Sequence, residues 1–510
     1  MSSISTVAHD RIAGLTRSNV YIAATIASCI LSLIMILQNP LVGSDGVTYL
    51  RSAEAFAGDG LAAALAIYNY PTYSILIAGV HLCTSLSLVN AAYLLNTFLF
   101  GLLVVAFIRL AEVCYQVPHI CLVAALVILC NPELNSLRAD VYRDFGAWAF
   151  MLLAAGYFIQ YNQTPRFKFA LAWFLTSLAA ATFRPEALVM LTVCLLYFVY
   201  YPNGIKHSAQ RFVRLLVLPA VLVCVVVVLS VFVSADALQH MWHVVSGKIN
   251  GSFAESIHNF RALATHYQQH VLVPRTDLAS VSLLAGLFAV LLITLLKATP
   301  VPYLAIYLAG LAKSPCRMQP QSRWPFIAVV LVAAAPPALF IVSQRFLQER
   351  YVMLLALLLC VPVSAFIAQW YECSANKNRL NGAAGLLVVI LLIDGLISFG
   401  ANKAHISQAI DWFEQNSSVD AVVTANDTRG MFQLPRRKLW DDSIAFKVNV
   451  AGDLMPCDRG DYFLQLHKKR EAHDRLWNKG QQRGQLVASF ENNRAAHADI
   501  YRCDPRKQAL

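Results

Sequence analysis

Long apolar runs alternate with short polar interruptions along most of the chain. A helix needs about 20 apolar residues to cross the hydrocarbon core of a bilayer. Runs near that length lie at 19–38, 91–111, 119–133, 145–161, 168–183, 186–201, 212–233, 278–297, 324–343, 351–370 and 382–400, which predicts about 11 spans. Two further apolar stretches read differently. Residues 73–89 follow Pro71 and carry His81, Thr84, Ser85 and Ser87, while 300–312 is short and bounded by Pro300 and Pro302. Both are expected to lie along the interface or to re-enter from one side. Beyond residue 400 the pattern changes. Ile406, Ala409, Ile410, Trp412 and Phe413 recur at helical spacing, and Asp420-Ala-Val-Val-Thr-Ala reads as a strand ahead of Asn426-Asp427. The predicted fold is mainly α, a polytopic membrane helical bundle over 1–400 with a small soluble α/β or α+β domain at 401–510.

Composition sharpens this picture. Of 510 residues, 58% are hydrophobic and 14% charged, against about 25% charged in a soluble globular domain. That excludes a soluble enzyme, and equally a disordered or fibrous chain. Residues 401–510 hold 17 of the 40 Lys/Arg and 14 of the 29 Asp/Glu, which marks them as the water-facing part. The net charge of +11 raises nucleic acid as a partner. However, the basic residues sit in short segments between apolar runs, where they set topology and meet anionic headgroups. No zinc-finger spacing or basic helix with interleaved aromatics occurs, so the bilayer is the expected partner and nucleic acid is not. Ten of the 12 cysteines lie in or beside apolar runs, and the other two, Cys457 and Cys503, are in the tail. In an oxidising compartment those two are candidates for a disulfide, a pairing that the sequence leaves open. Residues 1–18 do not read as a cleavable signal, because the run at 19–38 is long enough to span and no small-residue cleavage pattern follows it.

With the N-terminus cytoplasmic, the inner segments hold 13 basic residues: Arg11, Arg17, Arg109, Arg166, Lys168, Lys206, Arg211, Arg214, Lys313, Arg317, Arg323, Lys377 and Arg379. The short outer segments hold six: Arg51, Arg138, Arg143, Arg184, Arg345 and Arg350. This bias orients the bundle, and an odd number of spans puts the tail outside, in the periplasm of a bacterial inner membrane. The outer loops are then 39–90, 132–144 and 234–277. Of the 15 acidic residues in the first 400, 11 fall on the outer side. Asp and Glu contribute little to topology, so this excess, together with six arginines kept against the bias, points to an ionic site at the outer surface.

Four outer segments carry candidate chemistry. In Ser44-Asp45-Gly-Val-Thr48-Tyr49, Ser44 is placed to cap a helix, with Asp45, Thr48, Tyr49 and Ser52 on one face. Half shielded from water, Asp45 suits a general base; it equally suits a helix cap. In Arg138-Ala-Asp140-Val-Tyr142-Arg143-Asp144, the two aspartates are one helical turn apart, and a charged helix entry is the competing reading. Arg184-Pro185-Glu186 joins two spans and reads as a site or as an interfacial ion pair. Arg345 and Arg350 suit a phosphate, because guanidinium offers forked donors and keeps its charge when desolvated; snorkelling to headgroups competes. The histidines of 234–277 (His240, His243, His258, His266 and His270) lack a Cys or Glu to complete a metal set and read as a solvated loop. Asp394, inside the last run, draws attention as an intramembrane acid but stays outside the site.

Taken in order, these segments resemble the GT-C type of integral-membrane glycosyltransferases that use polyprenyl-phosphate sugars, the group of the lipid A aminoarabinose transferases and protein O-mannosyltransferases. The resemblance rests on Asp45-Gly-Val-Thr-Tyr49, Tyr70-Pro71-Thr-Tyr73, Asp144 just before a span, Arg184-Pro-Glu-Ala187, Glu349-Arg-Tyr351 and the Ala409-Ile-Asp-Trp-Phe and Val-Val-Thr-Ala-Asn-Asp stretches of the tail. It implies transfer of a sugar from a polyprenyl-phosphate donor to an acceptor hydroxyl of a glycan, lipid or protein, with inversion, in cell-envelope glycan, lipopolysaccharide or protein glycosylation. It implies Asp45 and Asp144 as the catalytic pair, the first as base and the second orienting donor or acceptor. Arg345, Arg350 and Arg184 would hold the phosphate, and Tyr49, Tyr73 and Glu186 the sugar or acceptor. The proline-free stretch Met353–Cys360 departs from the family's pattern, as does the lack of an acidic residue directly beside Asp144. No cofactor is required by this reading, and a divalent metal stays an open alternative that the sequence does not indicate. An O-antigen polymerase or ligase using diphosphate-linked glycans would share the outer arginines but not the early Asp-x-x-x-Tyr. A lipid-linked-sugar transporter or flippase would show paired broken helices and mid-membrane charges, a pairing absent here.

Overall fold

The computed structural model describes residues 11–12, 15–38, 41–199, 204–230, 252–271, 278–313, 318–397, 404–417, 423–425, 461–467, 484–491 and 497–503. Helix occurs in the described part of each predicted run. Among the described residues, six helices are long and apolar enough to cross a membrane: Arg17–Gln38, Leu88–Cys114, Ala279–Ala298, Pro320–Gln344, Glu349–Cys373 and Lys377–Leu396. The other five predicted runs, 119–133, 145–161, 168–183, 186–201 and 212–233, are not among these six, and two of them depart from a single continuous α-helix. The first, 119–133, yields only Ile120–Leu129 followed by the short turn Pro132–Ser136, because Pro132 disfavours helical geometry at Asn131. The second forms a 3-10 helix, Pro185–Phe198. At about 2.0 Å rise per residue, its 14 residues reach about 28 Å, close to the roughly 30 Å hydrocarbon thickness that an α-helix of that length would miss. The stretches expected near the interface form 13-residue helices, Thr72–Thr84 and Val301–Lys313.

The chain folds as two compact units. The first comprises 1–28, 99–134 and 143–392. Its centre is formed by Asp144–Gln163 and Glu349–Cys373, which are almost wholly buried. Asp144–Gln163 packs on Phe167–Phe183, and Pro320–Gln344 packs on both the 3-10 helix and Asp144–Gln163. Gly146 permits the first of these approaches, since a Cβ there would enter the ring of Phe183. At one end of this unit Glu112 accepts hydrogen bonds from Arg17 (2.6 Å), the Tyr21 hydroxyl (2.5 Å) and the Cys121 thiol, fastening the first helix to two others.

The second unit comprises 29–98, 135–142 and 393–510. Its tail is a helix, Ala404–Asn416, against a four-stranded sheet: β1 (Val423–Ala425), β2 (Tyr462–His467), β3 (Gly484–Glu491) and β4 (His497–Cys503), in the order β1-β2-β4-β3. Strands β1 and β2 run parallel, and the other pairs are antiparallel. The predicted apolar stripe is the core: Ile406, Ala409, Ile410 and Phe413 pack on Leu464 and Ile500, with Leu41 joining them. Spacing of i, i+3, i+4, i+7 puts those four on one helix face. Cys503 is engaged in a disulfide; Cys457, its candidate partner, lies outside the described residues, as do His240 and His243.

Candidate functional site

The candidate residues divide between the units. Asp45, Tyr49 and Tyr73 belong to the second, while Asp144, Arg184, Glu186, Arg345 and Arg350 belong to the first.

In the second unit Asp45 is half-buried in the first turn of Ser44–Asp59. The N-cap is Gly43 rather than Ser44, and no side chain caps the helix. An acidic side chain there still sits well against the positive end of the helix dipole. Gly46 lets this helix lie against the 135–142 segment, since a Cβ on it would meet Val141 Cβ at 2.9 Å and Val42 Cγ1 at 2.5 Å. Gly46→Ala is therefore expected to destabilise by about 1–3 kcal/mol through overpacking, outweighing the gain of under about 1 kcal/mol in helix propensity; a lowered Tm would report it. Tyr49 and Tyr73 are buried, 6% and 1% exposed. Tyr49 meets the rings of Tyr68 and Tyr73 edge-on, each at 5.3 Å. The Tyr73 hydroxyl donates to Asn96 Oδ1 at 2.5 Å, and Asn96 Nδ2 donates to the Asp140 carbonyl at 2.9 Å. Tyr68 and Tyr70 complete this cluster and are half-exposed. Asp140 lies in a bend, not on a helix with Asp144, so the one-turn spacing does not place the two on a shared helix face. Arg138 is fully buried and donates to Ser32 Oγ and Asn135 Oδ1, both at 2.8 Å. Burial pushes its guanidinium below its ordinary value.

In the first unit the chemistry gathers around Arg184. This residue ends the Phe167–Phe183 helix in extended backbone, as expected before Pro185. Its guanidinium pairs with the buried carboxylate of Asp144, which opens Asp144–Gln163. Its Nε lies 3.8 Å from Glu186. The same guanidinium lies over the ring of Tyr351 at 5.1 Å, and that of Arg350 approaches the ring at 5.0 Å while donating to its hydroxyl at 3.1 Å. Stacking on Phe340 at 4.5 Å fixes Tyr351. One aromatic ring thus holds two cations in register.

Arg184, Glu186 and Tyr351 open onto a half-open cavity. They form its polar lining, and Trp148, Met151 and Phe340 are among its apolar walls. Trp148 follows Asp144 by one helical turn. Arg345 does not line this cavity. It closes Pro320–Gln344 in left-handed backbone, φ 62°, and its exposed guanidinium donates to the Asn259 carbonyl at 3.2 Å. Trp148, Phe340, Tyr351 and the Pro336-Pro337 pair were not among the predicted site residues. The signal for the last was present, since two adjacent prolines inside an apolar run need a reason. Among the described residues no three His, Cys, Asp or Glu gather as a metal site.

No protein-family model matches the sequence, and no curated protein matches it. Among solved structures, the chain is similar to the Archaeoglobus fulgidus oligosaccharyltransferase in its apo form, with 12% identity and a TM-score of 0.41 over 78% of this chain; it spans 58% of that protein's length. It is also similar to ArnT from Cupriavidus metallidurans in the apo state, with 15% identity and a TM-score of 0.40 over 94% of this chain and 96% of that one. For the same enzyme bound to undecaprenyl phosphate, the identity is 13% and the TM-score 0.40, over 94% and 97% of the two chains.

Proposed function

We propose that this protein is a membrane glycosyltransferase that moves a sugar from a polyprenyl-phosphate donor to an acceptor hydroxyl at the periplasmic face, by inverting displacement. The cavity in the first unit carries the reading. It joins apolar walls, suited to an isoprenoid and to the faces of a sugar, with a lining that holds Arg184 and Tyr351, and Arg350 meets the same Tyr351 ring from outside that lining. Phosphate is already a good leaving group, so the enzyme need not protonate it. It needs fixed positive charge where negative charge builds as the glycosidic bond breaks. Arg184 and Arg350 supply that charge, and Arg345 is an outer contact for the lipid phosphate. Asp144 holds Arg184 in place, and Glu186 accepts a hydroxyl of donor or acceptor. On the attacking side the acceptor hydroxyl loses its proton, and Asp45 takes it. Tyr49 and Tyr73 form the buried base of an aromatic wall whose half-exposed rings, Tyr68 and Tyr70, meet a sugar.

The test is direct. Purified protein is incubated with undecaprenyl-phosphate-linked aminoarabinose, arabinose, mannose and glucose together with a cell-envelope lipid extract, and undecaprenyl phosphate release is followed by mass spectrometry. Release from at least one donor, dependent on the protein, is the expected result. No release from any of the four overturns the reading for these donors.

A further inference from the structure

Pro336 and Pro337 lie inside the helix Pro320–Gln344, and both line the cavity together with Ala333. A proline has no N–H to give the carbonyl four residues earlier, and its ring pushes that carbonyl aside. The carbonyls of Val332 and Ala333 therefore receive no helical N–H from positions 336 and 337. In a helix that crosses a bilayer, carbonyls deprived of their donors are costly in lipid and are tolerated where they meet protein or a polar cavity. Ala333 and Pro337 are buried and belong to the cavity wall. The cavity otherwise offers two acceptor side chains, Glu186 and the Tyr351 hydroxyl, and a guanidinium, Arg184, already engaged with Asp144. A sugar presents several O–H donors, and each must find an acceptor when it leaves water.

Resting on the donor reading above, we propose that the Ala333 carbonyl is a sugar-reading subsite: it accepts a hydroxyl of the donor's sugar, while the arginines hold its phosphate. Pro337 is then a specificity element, distinguishing a glycosylated lipid phosphate from a bare one.

Full-length protein in detergent, wild type and Pro337→Ala, is titrated with undecaprenyl phosphate and with its aminoarabinose, arabinose, mannose and glucose conjugates. Pro337→Ala returns an N–H to the Ala333 carbonyl. The expected result is that wild type binds one conjugate at least about tenfold more tightly than the bare lipid. The variant should lose most of that increment and keep its affinity for undecaprenyl phosphate. An increment that survives in Pro337→Ala overturns the subsite, as does a wild type that binds conjugates and bare lipid alike. Binding of none of the five lipids sinks the donor reading itself. Deoxy analogues of the preferred conjugate, titrated against wild type alone, supply a measurement that requires no variant to fold. One of them should lose affinity about tenfold, and uniform binding across the set overturns the proposal.

Discussion

Asp45→Asn is expected to lower sugar transfer by about 10²–10⁴-fold, the range for removing a general base, while donor affinity stays within about twofold of wild type. Asparagine keeps the volume of aspartate and removes its negative charge together with its capacity to take a proton. The N-cap of the helix Ser44–Asp59 is Gly43, so the substitution leaves the cap residue itself untouched. Transfer is read as undecaprenyl phosphate release with the active donor, and donor affinity by titration of the same lipid. Turnover near the wild-type rate would remove Asp45 from the role of base.

Arg184 should produce the second large effect, and it separates stability from binding. Asp144 is 3% exposed, so Arg184→Met leaves a carboxylate buried without its cation. Breaking a pair of this kind from one side costs about 3–5 kcal/mol, enough to depress Tm sharply. Adding Asp144→Asn to that variant removes the stranded charge and should restore most of the stability. It should not restore affinity for undecaprenyl phosphate, because the cation that faces the cavity is still missing. A double variant with wild-type affinity would reduce Arg184 to a structural partner of Asp144. Failure of the second substitution to recover stability would mean that the carboxylate is not what made the first one costly.

Much of the architecture was legible along the chain. Apolar run length located the helices, because a bilayer accepts only segments that satisfy their own backbone over a fixed thickness. The tail helix was legible in Ile406, Ala409, Ile410 and Phe413, since one face of a helix is a repeat in sequence. The junction at Arg184-Pro185 was legible too, because proline acts on the residue before it. Other features needed coordinates. Gly43 caps the helix after it and Ser44 does not, a choice of one backbone step that capping preference alone leaves open. Tyr49 and Tyr73 are buried beneath Tyr68 and Tyr70, although all four look alike as letters.

What the sequence determined by itself is therefore what repeats or acts between neighbours: the apolar helices, the tail helix and the helix-ending Arg-Pro step. Only the tertiary structure decided that Asp144 meets Arg184 across 40 positions, that Arg184 and Arg350 share the ring of Tyr351, and that Pro336-Pro337 lines the same cavity. Such pairings are set by which helix faces pack together, and a chain's local periodicity fixes each face without naming its partner.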